Sequence, residues 1–246
     1  MYSSEHRCIY RQNQLADVIC QLRFPEILSI ETQLPDAFQE AIRAEFPRYL
    51  CRKEGVPGKQ TNNYYSGTQD GHYRVNLTSK FISLSCNRYT SWEDFAKMLD
   101  KPLAAFIRIY KPGFFERVGL RYVNFISRRE LELEGVAYSQ LIRPCYLGVL
   151  AHEDVTEEAT ARSTVDADTG LRGGCRVKLH AGPGRVNKDG KPDPEAKFIL
   201  DFDLYMPGNV PVNYSAGALQ TIHDQSYGLF RGAITDMLHE AMEPEK

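Results

Sequence analysis

Two stretches of this 246-residue chain set charged side chains at strand spacing. Arg117-Val118-Gly119-Leu120-Arg121-Tyr122-Val123-Asn124-Phe125 reads as a strand, and side chains alternate across a strand. Val118, Leu120 and Tyr122 then share one face, and Arg117, Gly119 and Arg121 share the other. Two arginines flanking a glycine put fixed positive charge beside a gap where something could approach the backbone. In Phe198-Ile199-Leu200-Asp201-Phe202-Asp203-Leu204-Tyr205, the apolar side chains at even numbers make one face, and Asp201 and Asp203 lie on the other.

These charges admit two readings. Set side by side, the arginines and aspartates form a cross-strand ion-pair ladder, each exposed pair contributing roughly 0.2–1 kcal/mol. Alternatively they floor a polar site in which the arginines take anionic groups bidentately. Asn124, at the end of the arginine strand, and His223 join Arg117, Arg121, Asp201 and Asp203 as ligand-binding candidates. An Asp-x-Asp pair also suits Mg²⁺ or Mn²⁺, but the further ligands such a site needs are reduced to His180 and His223. No metal or other cofactor is therefore assigned. No catalytic residue is assigned either: G-x-S-x-G, Walker and H-E-x-x-H patterns are absent. Ala181-Gly182-Pro183-Gly184-Arg185 lacks the Lys-Ser/Thr and the helix start of a phosphate cradle. Tyr64, Tyr65, Tyr73 and Tyr89 are aromatics that could stack bases but are also what strands prefer.

Composition narrows the classes. Hydrophobic residues are 42% and charged residues 25%, ordinary for a globular protein, and the net charge of -2 supplies no global basic field for nucleic acid or an anionic membrane. The polar N-terminus has no secretory h-region, and no apolar run reaches the ~20 residues of a membrane helix. Six scattered cysteines without a C-x-x-C pair fit reduced thiols, and a cytoplasmic location is expected.

The elements that must hold the charged strands follow from periodicity. Ala16–Phe24 reads as a strand, and Leu34-Pro35-Asp36 opens a helix carrying Phe38, Ile42 and Phe46. Residues 51–63 read as a mobile loop. Strands are expected near Tyr64–Thr68, Tyr73–Thr78 and Phe81–Arg88, the first two joined by the Asp70-Gly71 turn. Ser91 caps a helix through Tyr110, with a kink or break at Pro102 and a stop at Lys111-Pro112-Gly113. The second half repeats the order: a strand over Phe115–Ile126, a helix over Val136–Leu150 interrupted by Pro144, strands near Val155–Asp166, Gly174–His180 and Lys197–Tyr205, and a long helix from Ser215 to Met242. Residues 181–196 read as the flexible tip of a hairpin. The fold class is thus α+β: one domain of two β-α-β-β-β-α halves (1–112 and 113–246), with helices packed on one face of an antiparallel sheet. Lys80-Phe81-Ile82 and Lys197-Phe198-Ile199 echo each other across the halves.

The chain resembles a sporadically distributed prokaryotic family of uncharacterised proteins of about this length. The resemblance rests on the early strand Leu15–Phe24, on Tyr89, Trp92 and Phe95, on the Arg-x-Gly-Leu-Arg-Tyr-x-Asn strand from Arg117 to Asn124, on Asp201 and Asp203, and on Phe230 to Thr235. Ile222-His223 stands where the family has Leu-His. It implies a stand-alone cytosolic protein from a variable part of a genome and brings no catalytic residues. The leading expectation is a binding or interaction protein, an accessory or regulatory component of a mobile or defence-type gene cassette, contacting an unknown protein or small anionic ligand through the open sheet face. Oligomerisation is left open. The alternative is a ligand- or nucleotide-processing protein using the Arg/Asp site, with His223 as an acid-base group.

Overall fold

The computed structural model describes residues 3–56, 58, 60–188 and 191–245. Its elements run β1 (Ile9–Tyr10), β2 (Leu15–Arg23), α1 (Leu28–Thr32), α2 (Asp36–Ile42), β3 (Arg48–Glu54), β4 (Thr61–Gly67), β5 (Tyr73–Leu77), β6 (Phe81–Cys86) and α3 (Trp92–Tyr110). There follow β7 (Phe115–Ile126), α4 (Tyr138–Leu141), β8 (Val165–Gly170), β9 (Arg176–Lys188), β10 (Lys191–Val210), α5 (Ser215–Ala233), α6 (Asp236–Ala241) and β11 (Pro244–Glu245). Strands β2 to β10 form a nine-stranded sheet, so the class is α+β. Two compact units divide the chain: unit one is Met1–Ala16, Tyr122–Leu204 and Thr221–Lys246, and unit two is Asp17–Arg121 and Tyr205–Gln220.

In unit two the hydrogen-bonded order is β3-β4-β5-β6-β2-β7, and every pair from β3 through β2 is antiparallel. Val18, Cys20 and Leu22, Val75 and Leu77, Ile82 and Leu84, and Val118 and Leu120 are all buried, giving the period of two expected of a sheet with one covered face. Phe95, Leu99 and Phe106 of α3 and Phe38 and Ile42 of α2 are buried with them. Helix α3 begins where Ser91 Oγ accepts from the Asp94 backbone N–H at 3.1 Å. It ends at Lys111, whose φ of 47° is left-handed. The expected break at Pro102 does not occur, and the helix is continuous through it.

In unit one the order is β7-β10-β9-β8. Tyr122 and Ile126, Val177 and Leu179, and Phe198, Leu200, Phe202 and Leu204 are among its buried strand residues. Helix α6 is capped by Thr235, and β1 pairs with β11.

Several expectations need correction. The helix expected over Val136–Leu150 is only the four residues of α4, followed by 3-10 turns at Pro144–Tyr146 and Gly148–Ala151. Arg143 and Pro144 break the run, and Tyr138, Leu141, Tyr146 and Leu150 are buried from separate turns. The strand expected from Val155 starts at Val165. The long final helix is two, because Thr235 leaves helical geometry to cap α6. Residues 51–63 are not one loop: β3 and β4 enter from either side, and β3 adds a strand to the first half beyond its expected order. Residues 181–188 and 191–196 are strand rather than tip, and Asp189-Gly190, the rest of the expected tip, lie outside the described residues.

Candidate binding face

The sheet of unit two has a second face, and registers place its residues. Tyr65 pairs with Leu50 of β3 and Asn76 of β5, Asn76 with Ser83, and Ser83 with Gln21 of β2. One row along, Gly67, Arg74, Ser85 and Ile19 are cross-strand neighbours. Asp17 lies two positions before Ile19 on β2, and Asn63 two before Tyr65 on β4, so both share the face. Every strand of this face thus contributes polar side chains, with Arg52, Arg74, Arg23 and, on β7, Arg117 and Arg121 supplying positive charge.

At its β3 edge lies a hydrogen-bonded knot. Asn63 Nδ2 donates to Glu54 Oε2 at 2.7 Å and lies 2.8 Å from the Tyr65 hydroxyl, which donates to Glu54 Oε1 at 2.5 Å. The Arg74 guanidinium sits 5.4 Å from the Tyr65 ring centre. Because the Asn63 NH₂ is committed to a carboxylate, its Oδ1 is the remaining acceptor. That atom is buried without a hydrogen-bond partner among the described residues, as are Asn76 Oδ1 and Asp17 Oδ1. Buried acceptors are normally paired, and an unpaired one costs about 1–3 kcal/mol. Three such acceptors share this one face. Burial raises the Asp17 carboxyl to about 6, against the opposing pull of Arg74 and Arg121.

The residues expected to form a site distribute between the units. Arg117 and Arg121 lie in unit two, and Asn124, Asp201, Asp203 and His223 lie in unit one. Arg117 stacks on the Tyr205 ring at 4.6 Å. The expected gap above Gly119 is closed, since a Cβ there would strike the Arg117 guanidinium folded over it. Arg121 is exposed on the strand.

In unit one, Asn124 is buried and donates from Nδ2 to the Leu200 carbonyl at 3.1 Å, a sheet-internal bond. Asp201 is buried and Asp203 half-buried. His223 is buried between Arg7, whose guanidinium meets Nε2, and Tyr122, whose hydroxyl is 2.8 Å from Nδ1. Arginine only donates, so Nε2 accepts and Nδ1 carries the proton toward Tyr122. Burial and the Arg7 charge depress this imidazole to about 3. At neutral pH it is therefore a neutral connector, poorly matched to acid-base work.

A cavity of about 1360 Å³ opens in unit one, lined by Arg128, Tyr138, Glu157, Arg162 and Arg185 among others, and by none of the six candidates. Arg128 crosses it, donating to Glu157 Oε2 and the Val136 carbonyl at 2.9 Å each and lying 4.0 Å from the Tyr138 ring centre. Among the described residues no group of three or more His, Cys, Asp and Glu is gathered to hold a metal ion. Among the described residues no helix is long and apolar enough to cross a membrane.

The three unpaired acceptors were not singled out by sequence. Their signal is the alternation of Asp17 and Gln21 with Val18, Cys20 and Leu22. Comparison with known proteins adds no constraint: no protein-family model matches the chain, and no curated protein matches its sequence.

Proposed function

We propose that this is a binding protein whose contact surface is the polar sheet face of unit two, and that its partner is an acidic protein segment offering N–H donors. The carrying observation is that three buried, unpaired acceptors, on Asp17, Asn63 and Asn76, are spread along one sheet face that also carries Arg74. An extended segment with backbone or side-chain amides supplies the missing donors, and its carboxylates pair with the arginines.

A nucleotide or nucleic-acid partner fits less well. Tyr65 has Arg74 near its ring and is tied to Glu54, so the face lacks the successive open rings on which bases stack. Asp17 and Glu54 also oppose phosphate. The reading keeps the accessory role in a mobile or defence-type gene cassette as its setting, which the neighbouring genes test.

Fluorescence anisotropy with a labelled glutamate-rich peptide and with single-stranded DNA separates the two. The expected result is salt-sensitive binding of the peptide that Arg74→Glu abolishes while the circular dichroism spectrum is unchanged. Preference for DNA, or peptide binding indifferent to Arg74→Glu, overturns the reading.

A further inference from the structure

Among the described residues, strand β3 stands at the end of the strand order and pairs with β4 alone. All seven of its residues are exposed, including Tyr49 and Leu50 at 45% and 46%. Its outer edge presents backbone N–H and C=O groups that another strand could take up, a liability natural sheets usually blunt with charge. Arg48, Arg52 and Lys53 supply that charge, yet Tyr49 and Leu50 leave apolar surface on both faces of the same strand.

The sequence Arg48-Tyr49-Leu50-Cys51-Arg52-Lys53-Glu54 is complementary to itself when reversed. About a two-fold axis through Cys51, Arg48 faces Glu54 of a second copy, Tyr49 faces Lys53, and Leu50 faces Arg52. Opposite charges and a cation over an aromatic ring are favourable cross-strand neighbours. A shift of one residue turns the polar face of one copy toward the covered face of the other. A shift of two sets arginine against arginine, Arg48 with Arg52 in one direction and Arg52 with itself in the other. Glu54 is already fixed for its part, held by Tyr65 and Asn63.

We infer that β3 pairs antiparallel with β3 of a second copy of this chain, in the register centred on Cys51. The association is isologous and closed, with each strand both donor and acceptor of the same contacts. It joins two polar faces edge to edge. It is independent of what those faces bind.

Cys51 reports the register. Directly opposed residues of antiparallel strands have Cα atoms about 4.5 or 5.5 Å apart, inside the roughly 4.4–6.8 Å that a disulfide spans. Copper-phenanthroline under air would take two electrons and two protons from the paired thiols and join them. Sedimentation velocity across a concentration series should show a reversible dimer, and peptide mapping after oxidation should find Cys51 joined to Cys51, with exposed Cys145 as the internal control. Cys51→Ser should keep the dimer and lose the cross-link. Arg48→Glu should weaken association at least about tenfold, and the exchange Arg48→Glu with Glu54→Arg should restore it. A chain that stays monomeric throughout, a cross-link through Cys145 in place of Cys51, an unrestored charge exchange, or a monomer that takes an added acidic peptide along β3 would each overturn the inference. Thermal melts of every variant separate loss of pairing from loss of fold.

Discussion

The Tyr122 hydroxyl lies 2.8 Å from Nδ1 of His223, and Arg7 meets the other ring nitrogen. The two partners fix the tautomer, and burial keeps the ring neutral. His223 thereby ties the N-terminal segment of unit one to β7 through α5.

This arrangement carries a pH dependence. The folded value near 3 lies below the ordinary 6.5, so the unfolded chain takes up the proton first on acidification. The stability contributed by neutral His223 is fully present above pH 6.5 and is lost as pH falls toward 3, by on the order of 5 kcal/mol over the full shift. Urea titrations of the wild type and His223→Gln at pH 7 and pH 4.5 should show the wild type losing more. Nitrogen-15 NMR should find Nδ1 protonated and no titration of this ring between pH 8 and 5. A ring that titrates near 6.5 would refute the assignment.

Asp17 has the opposite sign. Its folded value of about 6 lies above the ordinary 3.8, so the folded state retains a proton that the unfolded chain releases. The favourable contribution is complete below pH 3.8 and is lost as pH rises through 6. Asp17→Asn should therefore be more stable than the wild type at pH 7 by about 1–2 kcal/mol, allowing for solvent screening of a partly open site. The gain should vanish near pH 4. A variant less stable at pH 7 would show instead that Arg74 and Arg121 outweigh burial.

Gly119 and Arg117 should be energetically coupled. A methyl group at position 119 displaces the guanidinium from above the strand and from the Tyr205 ring. Gly119→Ala should cost about 1 kcal/mol in the wild type and less in Arg117→Ala, a coupling of at least about 0.5 kcal/mol in a double-mutant cycle by chemical denaturation. Additive effects would mean that the two residues do not share that space.

Ser91 is a local test of the helix that roofs unit two. Ser91→Ala removes the acceptor for the Asp94 amide and should lower stability by about 1 kcal/mol, while Ser91→Asp should retain most of it. Equal stability of all three would show that the first turn of α3 is fastened by packing alone.

What could be read from sequence follows a physical divide. Helix α3 was legible because Ser91, the acidic first turn and the apolar stripe agree, and β7 because arginine and apolar side chains alternate over Arg117–Tyr122. The β4–β5 hairpin was legible from Asp70-Gly71, and Gly71 does adopt φ 78°. Strand β3 was hidden because no residue of it is buried, so no hydrophobic pattern marks it. The ends of β9 and β10 were hidden because Gly182, Pro183 and Gly184 sit within the ladder rather than beside it. In Val136–Leu150 the apolar residues line a wall of short turns, and periodicity cannot tell that from a helix. Arg117, Arg121, Asp201 and Asp203 were found by charge type. Which nearby space they fill was not visible, because it depends on folded side-chain packing such as Arg117 over Gly119.

The exposure of β3 along its full length also sets how the molecule breathes. A strand anchored by one backbone ladder and no buried side chain opens at far lower free energy than the sheet interior, so its amides should exchange hydrogen long before those of β6 or β2. Anything that settles on that edge closes the easiest local unfolding route in unit two. Protection of these seven amides would register occupancy before any change in the global melting transition.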